Sequence, residues 1–200
     1  MLTLYDSAIS GNAYKVRLLL SHLGLAFRRI EKNVDDGSTR TPEFLAINRI
    51  GKVPAIVLED GTPLAESDAI LYYFAEGTAF WPAQKLERAQ VLQWMFFEQY
   101  SHEPTIAVVR HWVAHLGKTA STEPLLPAKT AGGYRALDVM EQHLAKNDYF
   151  VAGRYTIADI TLYAYTHVAH EGGFDLSRYP AIQAWLKRIA DQPGHIRITD

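Results

Sequence analysis

The chain has 200 residues, enough for one large domain or two small ones. Its hydrophobic share of 48% is typical of globular proteins, and 20 basic against 22 acidic residues create no surface field for nucleic acid or anionic lipid. The absence of cysteine excludes disulfides and a catalytic thiol, and the absence of a signal-peptide pattern or a long apolar run predicts a soluble, cytoplasmic protein.

The first 76 residues alternate strand patterns with helix patterns. In the first helix, apolar side chains recur with helical spacing from Val16 to Leu23, and Gly24 stands at the C′ position. Ser67 is predicted to cap the third helix. We predict strands over 2–5, 26–32 and 53–60 with a partner ending near 65, and helices over 12–23, 41–48 and 67–76. This βαβαββα order predicts an α/β domain with a four-stranded mixed sheet.

The rest of the chain reads as helices after a linker over 77–85. Pro104 is expected to kink or interrupt the first of them, because proline lacks the N–H group that an α-helix requires. We predict an all-helical domain over 86–200, with helices over 86–102, 129–146, 156–167 and 180–191.

Small polar residues, "SAISGN", join the first strand to the first helix. A side-chain oxygen from Ser10 or Asn12 suits helix capping, because it can accept a hydrogen bond from a first-turn N–H group. The same junction suits a bound anion, since the positive end of the helix dipole lies there. The residues alone leave both interpretations open.

A valine–proline pair, Val53-Pro54, opens the strand that the pattern makes central. Proline is unfavourable within a sheet because it donates no hydrogen bond to the ladder. One interpretation, which the dipeptide alone favours, is an ordinary proline at a strand entry. The other is a cis bond that presents the Val53 backbone N–H and C=O to a ligand as a strand edge.

Glu66 and Ser67 stand at the start of the third helix. The Ser67 hydroxyl, the first-turn N–H groups and the helix dipole together suit a carboxylate. Capping does not require Glu66, whose own carboxylate suits an ammonium group of a ligand.

These features, in this order and spacing, resemble the glutathione transferase family over essentially the whole chain. The matching segments are "LYDSAISGNAYKVRLLL", "TPEFLAINRIGKVPAIVLEDG", "LAESDAIL" and "GRYTIADITL". The resemblance, to serine-type bacterial members similar to the theta and nu classes, implies a thioredoxin-like domain over 1–76 with a cis-proline. It also implies the helical domain over 86–200 and, usually, a homodimer. Arg49 departs from the family, which often has proline at this position.

The resemblance implies a glutathione site in the N-terminal domain, formed by Arg40, Lys52, Val53, Pro54, Glu66 and Ser67. The Val53 main chain would hold the cysteinyl part, and Glu66 and Ser67 the γ-glutamyl end. The glycyl carboxylate would meet Lys52 or Arg40.

In the family, the group that activates the thiol follows the first strand. Ser10 matches the serine-type pattern and is expected to donate a hydrogen bond to the glutathione thiolate. Asn12 is a second candidate donor, and Tyr5 is a rival because tyrosine-type classes place their tyrosine early. Without cysteine at this junction, chemistry through an enzyme thiol is excluded.

The helical half contains one motif that is important for folding and three candidate residues for a substrate pocket. Thr156 and Asp159 match the family's capping box, which makes Asp159 a folding residue. A small electrophile is expected to bind between the domains, with Tyr100, His102 or Arg110 lining its pocket.

His111 and His115 have metal-ligand spacing but no evident third ligand, so no metal site is predicted.

The expected function is transfer of the glutathione thiolate to an electrophile. The alternatives on the same fold are thiol-dependent reduction or dehalogenation, cis–trans isomerisation and peroxide reduction. Two further alternatives are a non-catalytic protein that binds glutathione or a hydrophobic ligand, and a protein-interaction scaffold.

Overall fold

The computed structural model describes residues 1–33 and 35–200, which divide into two compact units. The first unit contains residues 1–78 and 193–200, and the second contains residues 79–192. Among the described residues, no helix is long and apolar enough to cross a lipid bilayer.

A four-stranded mixed sheet is the centre of the first unit, with the order β2-β1-β3-β4. Its strands are β1 (Leu2–Asp6), β2 (Phe27–Glu31), β3 (Ala55–Val57) and β4 (Pro63–Ala65), and its helices are α1 (Gly11–His22), α2 (Pro42–Ile47) and α3 (Ser67–Ala75). β1 pairs with β2 in parallel and with β3 antiparallel, and β4 is antiparallel to β3. The predicted βαβαββα order and the mixed sheet are confirmed.

Different helices cover the two faces of the sheet. Successive side chains of a strand point to opposite faces, so Leu2 and Leu4 of β1 share one face. They are buried there against Val16 of α1 and Ile70 of α3. The opposite face packs against α2 through Phe44. β1 lies between β2 and β3 in the sheet, and residues 7–10 connect its end to the start of α1.

The segment 193–200 returns to the first unit and lies along α1. Its backbone carbonyls accept hydrogen bonds from one side of this helix: Tyr14 donates to Ile196 (2.6 Å), Arg17 to Ile198 (2.9 Å) and Asp200 (2.8 Å), and Ser21 to Gly194 (2.8 Å). Positions 14, 17 and 21 are three and four residues apart, so they share one helix face. Apolar periodicity carries no signal for such a contact, so it was not predicted from the sequence.

The second unit is helical, as predicted. Its α-helices are α4 (Lys85–Phe97), α5 (Glu103–Arg110), α6 (Leu126–Leu144), α7 (Ile157–Thr166) and α8 (Pro180–Ala190). Fully buried apolar side chains from several of these helices form the core, including Ile106, Leu137, Met140, Ile160 and Trp185.

The helix predicted over 86–102 is not a continuous α-helix. After Phe97 it widens into a π-helical turn, Glu98–His102, in which the Glu103 N–H group donates to the Glu98 carbonyl. Pro104 has no N–H group, and its ring crowds the carbonyl four residues earlier in an α-helix. The wider turn accommodates both effects, so the chain stays helical through α5.

The predicted capping box is present at the start of α7. The Thr156 N–H group donates to Asp159 Oδ2 (2.9 Å), while Phe150 N–H and Trp185 Nε1 donate to Oδ1 (3.1 and 3.0 Å). Burial raises the pKa of Asp159 to about 6, although these hydrogen bonds favour the carboxylate. One carboxylate therefore joins α7, α8 and the segment before α7.

Candidate active site

The register of the sheet brings three of the predicted site segments to one end. Tyr5, next to the last residue of β1, pairs with Ala55 at the start of β3. Ala55 in turn pairs with Ala65 at the end of β4. The chain before Ala55 contains Val53, and the chain after Ala65 enters α3 at Ser67. The β1–α1 junction, the valine–proline pair and the start of α3 are therefore neighbours.

Ser10 is the N-cap of α1. Its Oγ accepts a hydrogen bond from the Ala13 N–H group at 3.2 Å, which bears out the capping interpretation of this junction. Because the oxygen acts as an acceptor, the hydroxyl hydrogen can still be donated to another group. Asn12 follows in the first turn, and both side chains are half-buried. The site can thus offer neutral donors to an anion.

Tyr5, the rival donor, lies on the opposite face of β1 from Leu4. Its ring packs against Phe44 with centroids 5.5 Å apart, in the cluster that also contains Val53. This position keeps Tyr5 beside the valine–proline segment. It therefore remains an alternative to Ser10.

The Val53–Pro54 peptide bond is cis. The interpretation that the dipeptide alone favoured, an ordinary strand-entry proline, is therefore wrong. The paired part of β3 begins at Ala55, so the N–H and C=O of Val53 lie outside the strand pairing.

The start of α3 differs from the prediction. Ser67 is the first residue of the helix and not its cap; the N-cap is Glu66, whose side chain makes no capping hydrogen bond. Glu66 has φ 69°, an unfavourable backbone conformation for a residue other than glycine. Such strain is found preferentially at ligand-binding positions. The first-turn N–H groups of any α-helix lack a partner within the helix, and here the Glu66 side chain does not cap them.

A buried lysine from α1 lies against this helix start. Lys15 has no exposed surface, and its Nζ lies 3.5 Å from both Ser67 Oγ and Asp68 Oδ1. Lys15 was not among the predicted site residues. The available signal was a lysine within the apolar stretch "AYKVRLLL".

The turn before Val53 is organised by Asn48, which was also not among the predicted site residues. Asn48 is buried, its Nδ2 donates to the Lys52 carbonyl at 2.8 Å, and its Oδ1 accepts from Ile50 N–H at 3.1 Å. Arg40 donates to the Ile50 carbonyl at 2.9 Å, while Lys52 is exposed. Arg40 and Lys52, the two cationic residues predicted to bind the glycyl carboxylate, therefore flank one turn. The Asn-x-x-Gly pattern of residues 48–51 is a sequence signal for this turn.

A buried ion cluster fixes the end of β1 beside this site. The Asp6 carboxylate lies 3.1 Å from Arg17 Nε of α1 and also contacts the Arg29 guanidinium of β2. Burial raises the pKa of Asp6, and the two arginines oppose that shift. The cluster ties β1 and β2 to the helix that carries Ser10.

The three predicted pocket residues have different surroundings within the second unit. Tyr100 is 87% exposed, whereas His102 is fully buried and its Nε2 lies 2.9 Å from Thr166 Oγ1. Arg110 is buried and bonds to Glu171 through Nε at 2.8 Å. His102 and Arg110 thus have partners inside their own unit. No arrangement of three or more acidic or histidine side chains suited to a metal occurs in residues 1–33 and 35–200.

Residues 1–76 match the profile of the glutathione S-transferase N-terminal domain, and residues 95–193 match the C-terminal domain. The sequence is 31% identical to the disulfide-bond oxidoreductase YfcG of Escherichia coli, over 97% of this chain and 92% of that protein.

Two solved structures are also similar. A glutathione S-transferase from Pseudomonas fluorescens superposes with a TM-score of 0.97 at 49% identity, covering 100% of this chain and 99% of that one. Ure2p in complex with glutathione superposes with a TM-score of 0.85 at 26% identity, covering 96% and 90% of the two chains. Since the two domain matches span most of the chain, the protein belongs to the glutathione S-transferase family.

Proposed function

We propose that this protein binds glutathione at the end of its sheet and transfers the thiolate to a small electrophile. The observation that carries this proposal is the sheet register, which makes neighbours of the Ser10 cap, the Val53 backbone and the start of α3. Ser10 offers a hydrogen-bond donor for an anion, Val53 offers backbone groups that can pair with an extended peptide, and the start of α3 offers donors for a carboxylate. The glutathione complex of Ure2p supports the choice of ligand.

Binding would use groups already available in the fold. The Val53 N–H and C=O would pair with the cysteinyl part, and Arg40 or Lys52 would meet the glycyl carboxylate. Glu66 and Ser67 would hold the γ-glutamyl end. The first-turn N–H groups of α3 suit its carboxylate, and the positive φ of Glu66 is typical of a ligand-binding position. When bound, glutathione supplies the sulfur nucleophile.

Activation of the thiol requires no general base. A thiol with a pKa of about 8.5 is roughly 3% ionised at pH 7, and lowering that pKa by about 2 units requires about 2.7 kcal/mol. One hydrogen bond from Ser10 to the sulfur anion contributes about 1.5–3 kcal/mol. The dipole of α1 adds about 0.3–1 kcal/mol. Ser10 at this helix start is therefore sufficient, and Asn12 is a second donor.

Binding and turnover are tested separately. We expect glutathione to bind in calorimetry and 1-chloro-2,4-dinitrobenzene to be conjugated at a rate above the uncatalysed one. Ser67→Ala should weaken glutathione binding about tenfold, because a hydrogen bond to a charged group is lost. Binding without turnover of any electrophile would support the non-catalytic alternative. No binding of glutathione would contradict the proposal.

Glutathione-dependent disulfide reduction is a second candidate, favoured by the name of the Escherichia coli relative. The chain has no cysteine, so both electrons would come from two glutathione molecules, which become glutathione disulfide as the substrate disulfide becomes two thiols. An assay of glutathione disulfide formation with a small disulfide substrate distinguishes this reaction from conjugation.

We further propose a homodimer that uses an apolar surface of the second unit. Phe96 and Tyr100 are 68% and 87% exposed. Tyr100 and Val139 line a cavity of about 290 Å³ between the π-turn, α5 and α6. Large exposed apolar side chains around a cavity are typical of interfaces between protein chains.

Light scattering should report a particle of twice the 22.5 kDa chain mass. Tyr100→Asp should shift the protein towards the monomer, because it would bury an unpaired carboxylate in the interface. Leu116→Asp is a control, since Leu116 is exposed outside this surface. A wild-type monomer at micromolar concentration would contradict the proposal.

A further inference from the structure

We propose that Lys15 is a positioning residue for the γ-glutamyl carboxylate of glutathione. Its buried ammonium group would set the direction in which the Ser67 hydroxyl donates and would offset the acidic side chains at the start of α3. This inference rests on the proposed function, since it explains how the site recognises one end of the tripeptide.

The position of Lys15 is costly for folding alone. The side chain has no exposed surface, and transfer of an ammonium group out of water is unfavourable unless the group is paired. Asp68, whose side chain is 16% exposed, provides a partner at 3.5 Å. Val16, Leu18 and Leu19 beside it on α1 are buried and apolar. A methionine would have a similar length, so packing by itself does not require a cation here.

The contact between Lys15 and Ser67 has a defined polarity. An ammonium group has three donors and no acceptor, so the Ser67 oxygen must be the acceptor in the 3.5 Å contact. The hydroxyl hydrogen is then directed away from Lys15 and is available to an acceptor on the other side. The first-turn N–H groups of α3 are donors as well. A ligand group at this helix start therefore meets donors, which suits a carboxylate.

Charge at the helix start supports the same role. Glu66 and Asp68 are both acidic and flank Ser67, so without Lys15 two carboxylates would repel the carboxylate of a ligand. Lys15 neutralises one of them from the buried side. Glu66, which is exposed, is then left for the ammonium group of the same γ-glutamyl end.

The test compares two ligands that differ by one carboxylate. The first is S-hexylglutathione, and the second is its analogue with a 4-aminobutyryl group in place of γ-glutamyl, which lacks the α-carboxylate. Calorimetry should show that Lys15→Met weakens binding of S-hexylglutathione about tenfold and leaves binding of the analogue unchanged within twofold. Kinetics should show a higher KM for glutathione with kcat and its pH profile retained. Lys85→Met, at an exposed lysine of α4, is the control.

A second comparison, made in an Asp68→Asn variant, separates an effect of Lys15 on ligand binding from an effect on folding. Lys15→Met removes the contact between Lys15 and Asp68, so the same comparison is made in the Asp68→Asn background, which has no carboxylate at position 68. The selective tenfold loss is expected there too. Equal losses for both ligands, or no loss for S-hexylglutathione, would overturn the role of Lys15. Failure of the wild type to bind S-hexylglutathione would instead refute the proposed function.

Discussion

Replacing Ser10 by alanine is expected to lower kcat for conjugation at pH 7 about 10- to 100-fold and to raise the pKa of bound glutathione by 1–2 units. The physical reason is the loss of a charge-assisted hydrogen bond of about 1.5–3 kcal/mol, which stabilises the thiolate and not the thiol. The pH–rate profile and the absorbance of the bound thiolate measure the shift. Glutathione affinity at a pH well below the thiol pKa should change little, since other groups hold the peptide.

The same substitution removes a helix cap, so its effect on stability must be separated from its effect on chemistry. Ser10 caps α1 through Ala13, and loss of such a cap costs about 1 kcal/mol. Thr41→Ala is a matched control, because Thr41 caps α2 in the same way through Phe44 N–H at 3.3 Å. It should lose similar stability and keep the thiol pKa. An unchanged pH–rate profile in Ser10→Ala would transfer the role to Asn12 or Tyr5.

Replacing Asp159 by alanine is expected to reduce the free energy of unfolding by about 3–5 kcal/mol. The change leaves the buried donors of Thr156, Phe150 and Trp185 without their acceptor, and each unsatisfied buried donor costs about 1–3 kcal/mol. Urea denaturation measures the loss. Asp138→Ala is the control, since that exposed carboxylate accepts one hydrogen bond from Tyr179, and about 1 kcal/mol is expected. A loss below about 1 kcal/mol for Asp159→Ala would refute its structural role.

Asp159 also predicts a dependence of stability on pH. Its pKa rises from 3.8 to about 6 in the folded state, so the folded protein binds the proton more tightly than the unfolded chain. The pH-dependent part of the stability from this group is therefore complete only well below pH 3.8 and is lost as the pH rises through 6, by about 3 kcal/mol in total. The stability advantage of the wild type over Asp159→Asn should shrink by this amount between pH 3 and pH 7. An advantage that grows over this range would contradict the assignment.

The order of the secondary-structure elements could be predicted because it depends on local patterns. The apolar face of α1 with Gly24 behind it and the capping box of α7 each act within a few residues. The motif residues Ser10, Val53, Glu66 and Ser67 were identified by resemblance, and their segments do lie at one end of the sheet.

The failures have equally specific causes. Ser67 was predicted as a cap because serine is a good one, but the path from β4 gives Glu66 a positive φ and makes Ser67 the first helical residue. The helix before Pro104 was predicted as α throughout, because helical periodicity does not distinguish a five-residue π-turn. Asn48 and Lys15 were missed, since their partners lie across a turn and on another helix.

The sequence by itself determined the α/β and helical halves, the candidate thiolate donors and the exclusion of a catalytic cysteine. These follow from residue type and short-range spacing, which fix the local backbone and the available chemistry. Only the tertiary structure decided that Lys15 is buried against Ser67, that Asp6 binds two arginines, and that residues 193–200 bond to α1. Each of these depends on groups far apart in the chain, whose approach is set by the packing of the elements and not by any local pattern.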